Sequence, residues 1–284
     1  MSVVLMYHAI YPDHDTSAVD AEDLPYAVSV SDFTRQLDEI AQHQVGLCSG
    51  DPLPHIIITF DDGHASNLHL AAPLLLERNL SAYFFITTQF IDQRAGFMSR
   101  AELAQLSNIE GMCIGSHGTS HRFFDDLSPL ESEQELVDSK AFLEQTCGCA
   151  CRSMSFPGGR FSDTVLEQLA NAGYTQWFGS EIGLVKEASF TAAASTGITG
   201  DEAAQNDKSG SIEERWALSV QRDRLPLERV AIRRSTQMPE FRSIISQETS
   251  YFRRKRIKSL VKRRLRQLIG NRLYHGLYKS ISER

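Results

Sequence analysis

Short runs of β-branched and aromatic residues alternate with helical patterns along most of this 284-residue chain. Such alternation is typical of βα units, whose successive strands pair in parallel because a helix carries the chain back across the sheet. It therefore predicts an α/β fold with a largely parallel sheet. The predicted strands are Val3–Tyr7, His55–Phe60, Ser81–Thr87, Met112–Gly115, Ser153–Phe156, Thr175–Phe178 and Val230–Arg233.

Four of the intervening segments place apolar residues at helical spacing. The third has the clearest beginning, because Ser128 and Glu131 can form a capping box and Pro129 occupies the first helical position. This many βα units predict a barrel or distorted barrel, with its chemistry at the carboxyl ends of the strands. The predicted helices are Ser31–Gln42, Leu68–Arg78, Ser128–Gln145 and Ser162–Ala172.

Two polar clusters directly follow predicted strands. Asp61 and Asp62 form the first, and adjacent carboxylates repel each other unless a cation or hydrogen bonds compensate. His117 and His121 form the second, and two imidazoles with one carboxylate suit a divalent ion such as zinc. A surface turn and exposed loop histidines are the alternatives for each cluster alone. Together the clusters indicate a metal site.

A third polar stretch surrounds the predicted strand at 153–156. Pro157 and Gly158 follow this strand, where backbone N–H groups without side-chain obstruction are suited to an oxyanion hole. Arg152 precedes the strand and could orient a carboxylate through two hydrogen bonds. A turn and a surface arginine are the alternative interpretation.

These three stretches, in this order, resemble the polysaccharide deacetylase family, the NodB-like metal-dependent carbohydrate esterases. The family pattern is T-F-D-D-G, then H-x-x-x-H, then R-x-F-x-x-P-x-G, on a distorted β/α barrel. The resemblance extends to about residue 245 and includes Met154 in place of the usual phenylalanine, a swap of one large apolar group for another.

The resemblance implies a role for each motif residue. Asp61 would be the general base, Arg152 would steady that base, and the Gly158 N–H would bind the oxyanion. Pro157 and Trp177 would lie beside the substrate, Trp177 being the candidate for a fourth motif that is otherwise degraded. The implied ligands of a divalent metal, zinc with cobalt or nickel as alternatives, are Asp62, His117 and His121.

A fifth family motif, a C-terminal Leu-x-His that supplies the catalytic acid, is absent, since no histidine occurs between His121 and His275. The first predicted strand ends instead in Leu5-Met6-Tyr7-His8. In a barrel the first and last strands are neighbours, so a histidine moved from one to the other keeps its place. We therefore predict His8 as the acid, an arrangement that resembles the circularly permuted deacetylases. An ordinary strand-end histidine is the alternative.

The chain ends in a strongly basic segment. From Tyr251 to Arg284 it carries twelve Lys or Arg and one acid, whereas residues 1–250 carry 17 Lys or Arg and 35 Asp or Glu. Apolar residues recur at three- and four-residue steps over 252–281, which predicts a basic amphipathic helix. Such a helix can lie at the inner leaflet of a membrane or dock on the acidic body. Nucleic-acid binding is not expected, because the body lacks a basic face.

We accordingly predict a catalytic domain at 1–248, with a flexible insertion at 188–211, and a helical tail at 249–284. The resemblance implies removal of N-acetyl groups from an amino sugar of a glycan or lipid-linked glycan intermediate, in exopolysaccharide or surface-polysaccharide synthesis. An amidase acting on a formamido sugar or cyclic amide, and a catalytically silent glycan-binding or assembly protein, are the alternatives. The opening residues do not resemble a secretory signal, so we expect a cytoplasmic protein, peripheral at the inner membrane face.

Overall fold

A seven-stranded, fully parallel sheet forms the centre of the protein, seen in a computed structural model that describes residues 1–44, 56–185 and 225–258. Its strands are β1 (Val3–Tyr7), β4 (Ile56–Phe60), β5 (Ala82–Ile86), β6 (Met112–Ser116), β7 (Ser153–Ser155), β8 (Gln176–Phe178) and β9 (Val230–Ala231). They lie in the order β8-β7-β6-β5-β4-β1-β9. A second small sheet pairs β2 (Ile10–Tyr11) with β3 (Val28–Ser29). All seven predicted strands are confirmed, although His55 lies outside the described residues.

Helices connect the strands of the main sheet. The capping box at Ser128 is confirmed, since its hydroxyl accepts from the Glu131 N–H and the Glu131 carboxylate accepts from the Ser128 N–H. The predicted helix at 68–78 begins as a π-helical turn, Asn67–Ala71. Sequence analysis did not predict the helix at 100–107 or the one at 238–245. The helices are α1 (Val30–Gln44), α2 (Ala72–Leu76), α3 (Arg100–Ser107), α4 (Pro129–Cys147), α5 (Asp163–Asn171) and α6 (Met238–Ile245).

The two faces of the sheet bury different sets of apolar side chains, because successive residues of a strand point to opposite faces. Leu5, Ile58 and Phe84 belong to the larger core, which also includes the helix residues Leu37 and Leu143. The opposite face buries a smaller cluster inside the curled sheet. Its members are Val4, Ile57, Tyr83, Phe85, Cys113, Phe178, Val185 and Leu227.

The sheet curls into an incomplete barrel whose edge strands are β8 and β9. Among the residues that the structure describes, one parallel bridge, between Phe178 and Leu227, joins β8 to the residues that precede β9. In this bridge the Leu227 N–H donates to the Trp177 carbonyl at 2.9 Å, and the Gly179 N–H donates to the Leu227 carbonyl at 3.0 Å. The predicted α/β class and parallel distorted barrel are thus found with the closure reduced to one bridge.

The first strand of the chain lies inside the sheet rather than at its edge. β1 pairs with β4 along its whole length and with β9 through Leu5 and Met6. The first and last strands are therefore neighbours, as the interpretation of His8 requires.

The beginning of the predicted tail packs against the body. Residues 249–258 are helical, and Tyr251 and Phe252 are buried in the larger core. Lys255 lies 2.8 Å from Glu240 in an ion pair. No helix within the described ranges combines the length and the apolar character needed to cross a membrane. The rest of the tail and the predicted insertion at 188–211 lie outside the described residues.

Candidate metal centre

The polar residues singled out from the sequence meet at one edge of the sheet. His8 follows β1, Asp61 and Asp62 follow β4, and His117 follows β6. Because the strands are parallel, their carboxyl ends all reach this edge, and the loops beyond them share one space. His121 lies in the loop that continues from His117.

Asp62, His117 and His121 form the candidate metal-binding triad. The Asp62 Oδ1 lies 3.4 Å from the His117 Nε2 and 3.2 Å from the His121 Nε2. All three ligand atoms lie within 4.8 Å of one another. The Asp62 Oδ1 is buried and has no hydrogen-bond donor, which a buried carboxylate oxygen normally requires. One carboxylate and two imidazoles are ligands that suit zinc, so the donor set fits a divalent cation.

The protonation states of His117 and Asp62 also suit metal binding, whereas at His121 burial is outweighed by the neighbouring carboxylates, which raise the pKa of that imidazole. Burial lowers the pKa of His117 to about 4, so its ring is neutral near pH 7. The His117 Nδ1 lies 2.8 Å from the Ser155 carbonyl, an acceptor, so Nδ1 carries the hydrogen and Nε2 presents its lone pair. Burial alone would raise the pKa of Asp62, but the close imidazole of His121 and nearby positive charge outweigh burial and lower the pKa.

Two of the three triad residues have a strained backbone conformation. Asp62 has a φ of 77° and His121 a φ of 63°, both in the left-handed region that non-glycine residues rarely adopt. Each such residue costs about 1–3 kcal/mol and persists where its surroundings enforce it. The two ligands are therefore held in position by the fold before any cation binds.

Asp61 lies beside the triad and is bound by a buried arginine. The Arg229 Nη1 and Nη2 each lie 2.7 Å from one oxygen of the Asp61 carboxylate. Both side chains are nearly inaccessible to solvent. Burial alone would raise the pKa of Asp61, but the Arg229 guanidinium outweighs burial, and the pKa of Asp61 is lowered. Asp61 is consequently ionised near neutral pH and held in one orientation.

Every N–H of the Arg229 guanidinium has an acceptor. In addition to Asp61, Nη1 donates to the Thr59 hydroxyl at 3.1 Å and Nη2 to the Ser155 hydroxyl at 2.7 Å. Nε donates to the Gly179 carbonyl at 2.6 Å, just beyond β8. A guanidinium offers five donors in a fixed plane, and all five are used here. Arg229 therefore orients Asp61 and also links the two edges of the incomplete barrel.

The structure corrects the prediction that Arg152 steadies Asp61. Arg152 is exposed and precedes β7, so it lies at the amino end of that strand, whereas Asp61 lies at the carboxyl end of the sheet. Arg229 occupies the predicted position on Asp61 instead. Arg229 directly precedes the short β9. It reaches Asp61 because β9 pairs with β1, and this pairing cannot be read from the sequence.

His8 lies at the rim of the same site. Its ring packs against that of Tyr26, with centroids 5.1 Å apart, and its Nδ1 is buried without a hydrogen-bond partner. The Asn67 side chain donates to the His8 carbonyl at 2.8 Å, so the π-helical turn holds the backbone at this point. The Asp61 N–H donates to the Tyr7 carbonyl at 2.9 Å, so His8 and Asp61 follow paired positions of the neighbouring strands β1 and β4.

The strand end at Pro157 and Gly158 also reaches this edge. Gly158 is exposed and has a φ of 61°, where a side chain would be strained. Pro157 is buried in the turn before it. Trp177 does not fulfil its predicted role beside the substrate, because it points into the larger core with 4% of its surface exposed. Its neighbour Phe178 faces the barrel interior, so strand alternation directs Trp177 away from the site.

Sequence analysis missed His64, which lies next to the triad. His64 stacks on Phe97 with ring centroids 4.2 Å apart, and its Nε2 lies 3.9 Å from the Asp62 Oδ2. Burial lowers the pKa of His64 to about 4. A neutral imidazole therefore lies next to the Asp62 Oδ2. The signal in the sequence was its place directly after Asp61-Asp62-Gly63.

Comparisons with known proteins agree with this geometry. Residues 50–177 match the family model for polysaccharide deacetylases. YxkH of Bacillus subtilis (strain 168), a protein named only provisionally as a polysaccharide deacetylase, is 26% identical over 128 residues. That match covers 45% of this chain and 45% of YxkH, so it spans less than half the length of this curated relative.

Solved structures share the fold at low sequence identity. The Streptococcus pyogenes deacetylase PplD, solved in complex with acetate, has a TM-score of 0.61 at 19% identity, over 86% of this chain and 97% of PplD. BC0361, a polysaccharide deacetylase from Bacillus cereus, has a TM-score of 0.62 at 21% identity, over 86% of this chain and 68% of BC0361. The matched segment 50–177 contains the triad and Asp61, so the part of the chain that is similar to polysaccharide deacetylases is the part that carries the candidate metal centre.

Proposed function

We propose that the protein is a divalent-metal-dependent deacetylase that removes N-acetyl groups from an amino sugar of a glycan or of a lipid-linked glycan intermediate. The observation that carries the proposal is the convergence of Asp62, His117 and His121 on a buried carboxylate oxygen without a donor. Asp61 lies beside this triad and is oriented by Arg229 rather than by Arg152. A triad of metal ligands with a separate carboxylate is suited to metal-dependent hydrolysis of an amide.

Asp62, His117 and His121 would hold the cation, for which zinc is proposed with cobalt or nickel as alternatives. When bound, such a cation polarises a carbonyl and lowers the pKa of water. Asp61 accepts the proton of the attacking water, because it is ionised and its carboxylate is fixed by the arginine. The exposed Gly158 N–H donates to the oxyanion that develops on the acetamide carbonyl.

His8 supplies the proton that the departing amine needs. An amide nitrogen must be protonated as it leaves, and a second group beside Asp61 can supply that proton. His8 follows β1 next to Asp61 in the register of β1 and β4, and its backbone is held by Asn67. Acetate and a free amino sugar are the products.

The substrate class and location are proposed from the family and from the tail. The family is named for polysaccharides, and PplD was solved in complex with acetate. A basic amphipathic segment at 252–281 would bring the enzyme to the inner leaflet, where lipid-linked sugars are presented. We therefore propose a role in exopolysaccharide or surface-polysaccharide synthesis.

Acetate release from N-acetylated oligosaccharides tests the proposed function. The full-length protein is freed of metal with a chelator, reloaded with zinc, cobalt or nickel, and incubated with each sugar. We expect acetate only from the reloaded wild type, and a loss of at least a hundredfold in the Asp61→Asn variant with its metal content unchanged. Bound metal without acetate from any acetamido sugar would contradict the proposal. Formate or a ring-opened product would then indicate another amidase, and no product would indicate a silent glycan-binding protein.

A further inference from the structure

Phe123 is an exposed aromatic residue at the mouth of the metal centre. It is 36% exposed and is the one aromatic residue among the exposed large hydrophobic side chains of the described ranges. It follows the ligand His121 by two residues, on the loop that leads to α4. Single exposed hydrophobic residues are common on protein surfaces, so the contacts of Phe123 beside the candidate site, and not its exposure, carry the inference.

The ring lies against the strand end that carries the proposed oxyanion-binding N–H. A Cβ built on Gly158 would come within 2.7 Å of the Phe123 Cε1, which is too close for a real contact. Gly158 therefore lets the Phe123 ring lie against its backbone, which a side chain at position 158 would prevent. The Phe123 ring occupies the space where a side chain at position 158 would lie, and so it lies directly beside the Gly158 backbone to which the proposed function assigns the oxyanion.

Charged neighbours hold the ring in one place. The Arg160 guanidinium lies 4.4 Å from the Phe123 ring centroid. The Arg160 Nε lies 2.9 Å from the Asp125 carboxylate, and its Nη2 lies 2.7 Å from the Asp126 carboxylate. These contacts fix the arginine on one side of the ring, so the ring is ordered before a ligand arrives, which lowers the entropic cost of binding.

We propose that Phe123 is a sugar-binding platform, on which a pyranose ring of the glycan stacks while its acetamido group enters the metal centre. The inference rests on the proposed deacetylase function. A pyranose presents C–H groups on its faces, and these contact an aromatic ring favourably while the hydroxyls point outward to solvent. Binding sites of small molecules combine such apolar surfaces with a few polar groups that set orientation. Here the polar groups are the triad, Asp61 and the Gly158 N–H.

Kinetics of three variants test the inference, with a tetramer of N-acetylglucosamine as the substrate and zinc-loaded full-length protein. We expect Phe123→Ala to raise KM about fivefold to tenfold and to leave kcat within about twofold. Phe123→Trp should keep KM near the wild-type value, because it retains an aromatic face. Leu76→Ala is the matched control, since Leu76 is 45% exposed on α2 and should leave both constants unchanged.

Zinc content and thermal melting of each variant separate a binding role from a structural one. Unchanged metal content and melting temperature, with KM raised only in Phe123→Ala, would support the platform. An unchanged KM in Phe123→Ala would overturn it, as would a loss of zinc that accounts for the lost activity. Failure of the wild type to release acetate from the tetramer or any other acetamido sugar would instead contradict the proposed function, and the platform with it.

Discussion

At the scale of single residues, the Asp61–Arg229 pair keeps a carboxylate both buried and ionised. Asp61 must be ionised to accept a proton, yet it is buried, and burial opposes ionisation. Arg229 resolves this conflict with two hydrogen bonds of 2.7 Å, and its own charge is compensated by the same carboxylate. Removing one member of a buried ion pair leaves an uncompensated charge, which costs more than the pair itself contributes.

Arg229→Met should therefore lower the free energy of unfolding by about 3–5 kcal/mol and strongly reduce acetate release. Arg152→Met is the matched control and should change neither, because Arg152 is exposed at the opposite end of its strand. Urea denaturation and steady-state kinetics provide the two readouts. The double variant Asp61→Asn/Arg229→Met should regain part of the stability but none of the activity. Equal effects of the two arginine variants would contradict this assignment.

His8 provides a second prediction at this scale. As the donor of a proton to the leaving amine, His8 is needed for the step in which the C–N bond breaks. His8→Gln should lower kcat/KM by about 10²- to 10⁴-fold, while zinc content stays that of the wild type. A kcat/KM of His8→Gln near the wild-type value would show that another group is the acid.

At the scale of elements, the direction of the strands decides which residues meet. Strand and helix positions were readable from periodicity, and the triad from its place after β4 and β6, because parallel strands bring their carboxyl ends together. The choice between Arg152 and Arg229 was not readable, since it depends on which strand lies beside β1. The role of Trp177 was predicted wrongly for a related reason. Neighbouring residues of a strand point to opposite faces of the sheet, and Trp177 points to the larger core whereas Phe178 points to the barrel interior. The helix α3, in contrast, carries a capping box of Ser99 and Glu102 that the sequence already displayed.

The capping box of α4 supports a prediction for this element. Ser128→Ala should lower the free energy of unfolding by about 1 kcal/mol. Hydrogen bonds from the Ser128 backbone and hydroxyl, with Arg122, lower the pKa of Glu131 to about 2. Because the folded pKa is depressed, this contribution is present above the unfolded pKa and is lost as the pH falls through about 2. The difference in the free energy of unfolding between the wild type and Ser128→Ala, measured by urea titration, should accordingly become smaller in acid.

Ser162→Ala is the control for this comparison. Ser162 occupies the N-cap of α5, but its side chain makes no capping hydrogen bond. We expect little change in the free energy of unfolding at any pH. If both serine variants destabilise the protein equally, the capping box at α4 is not the source of the effect.

At the scale of the whole molecule, the strained triad couples metal binding to stability. A cation that binds only the folded chain adds about 2.7 kcal/mol to the free energy of unfolding at a free concentration one hundred times its dissociation constant. We expect zinc to stabilise the wild type by this amount in urea titrations after removal of the chelator. His117→Gln should lose most of the gain, because it removes a ligand without adding charge. Stabilisation of His117→Gln equal to that of the wild type would place the cation elsewhere.

Tyr251 and Phe252 pack in the core, so a test of membrane binding by the tail must leave both residues in place. Both side chains are buried, so removing them would unfold part of the core rather than remove a membrane anchor. We predict that a chain ending after Lys258 folds like the full chain but no longer floats with vesicles of anionic lipid. Flotation of both at low and high salt is the measurement. Equal flotation of the two chains would show that 259–284 does not bind the membrane.

The position of β1 between β4 and β9 affects the order in which the molecule can acquire its properties. The triad is contained in 62–121, so its strands are available early during synthesis on the ribosome. Arg229 lies 168 residues beyond Asp61, and contacts of such separation form slowly. A nascent chain can thus gather its cation ligands while its proton acceptor still lacks a counter-ion. We expect the competence for the proposed hydrolysis to be the last property that the folding chain acquires, because the ion pair that orients Asp61 needs Arg229 in place.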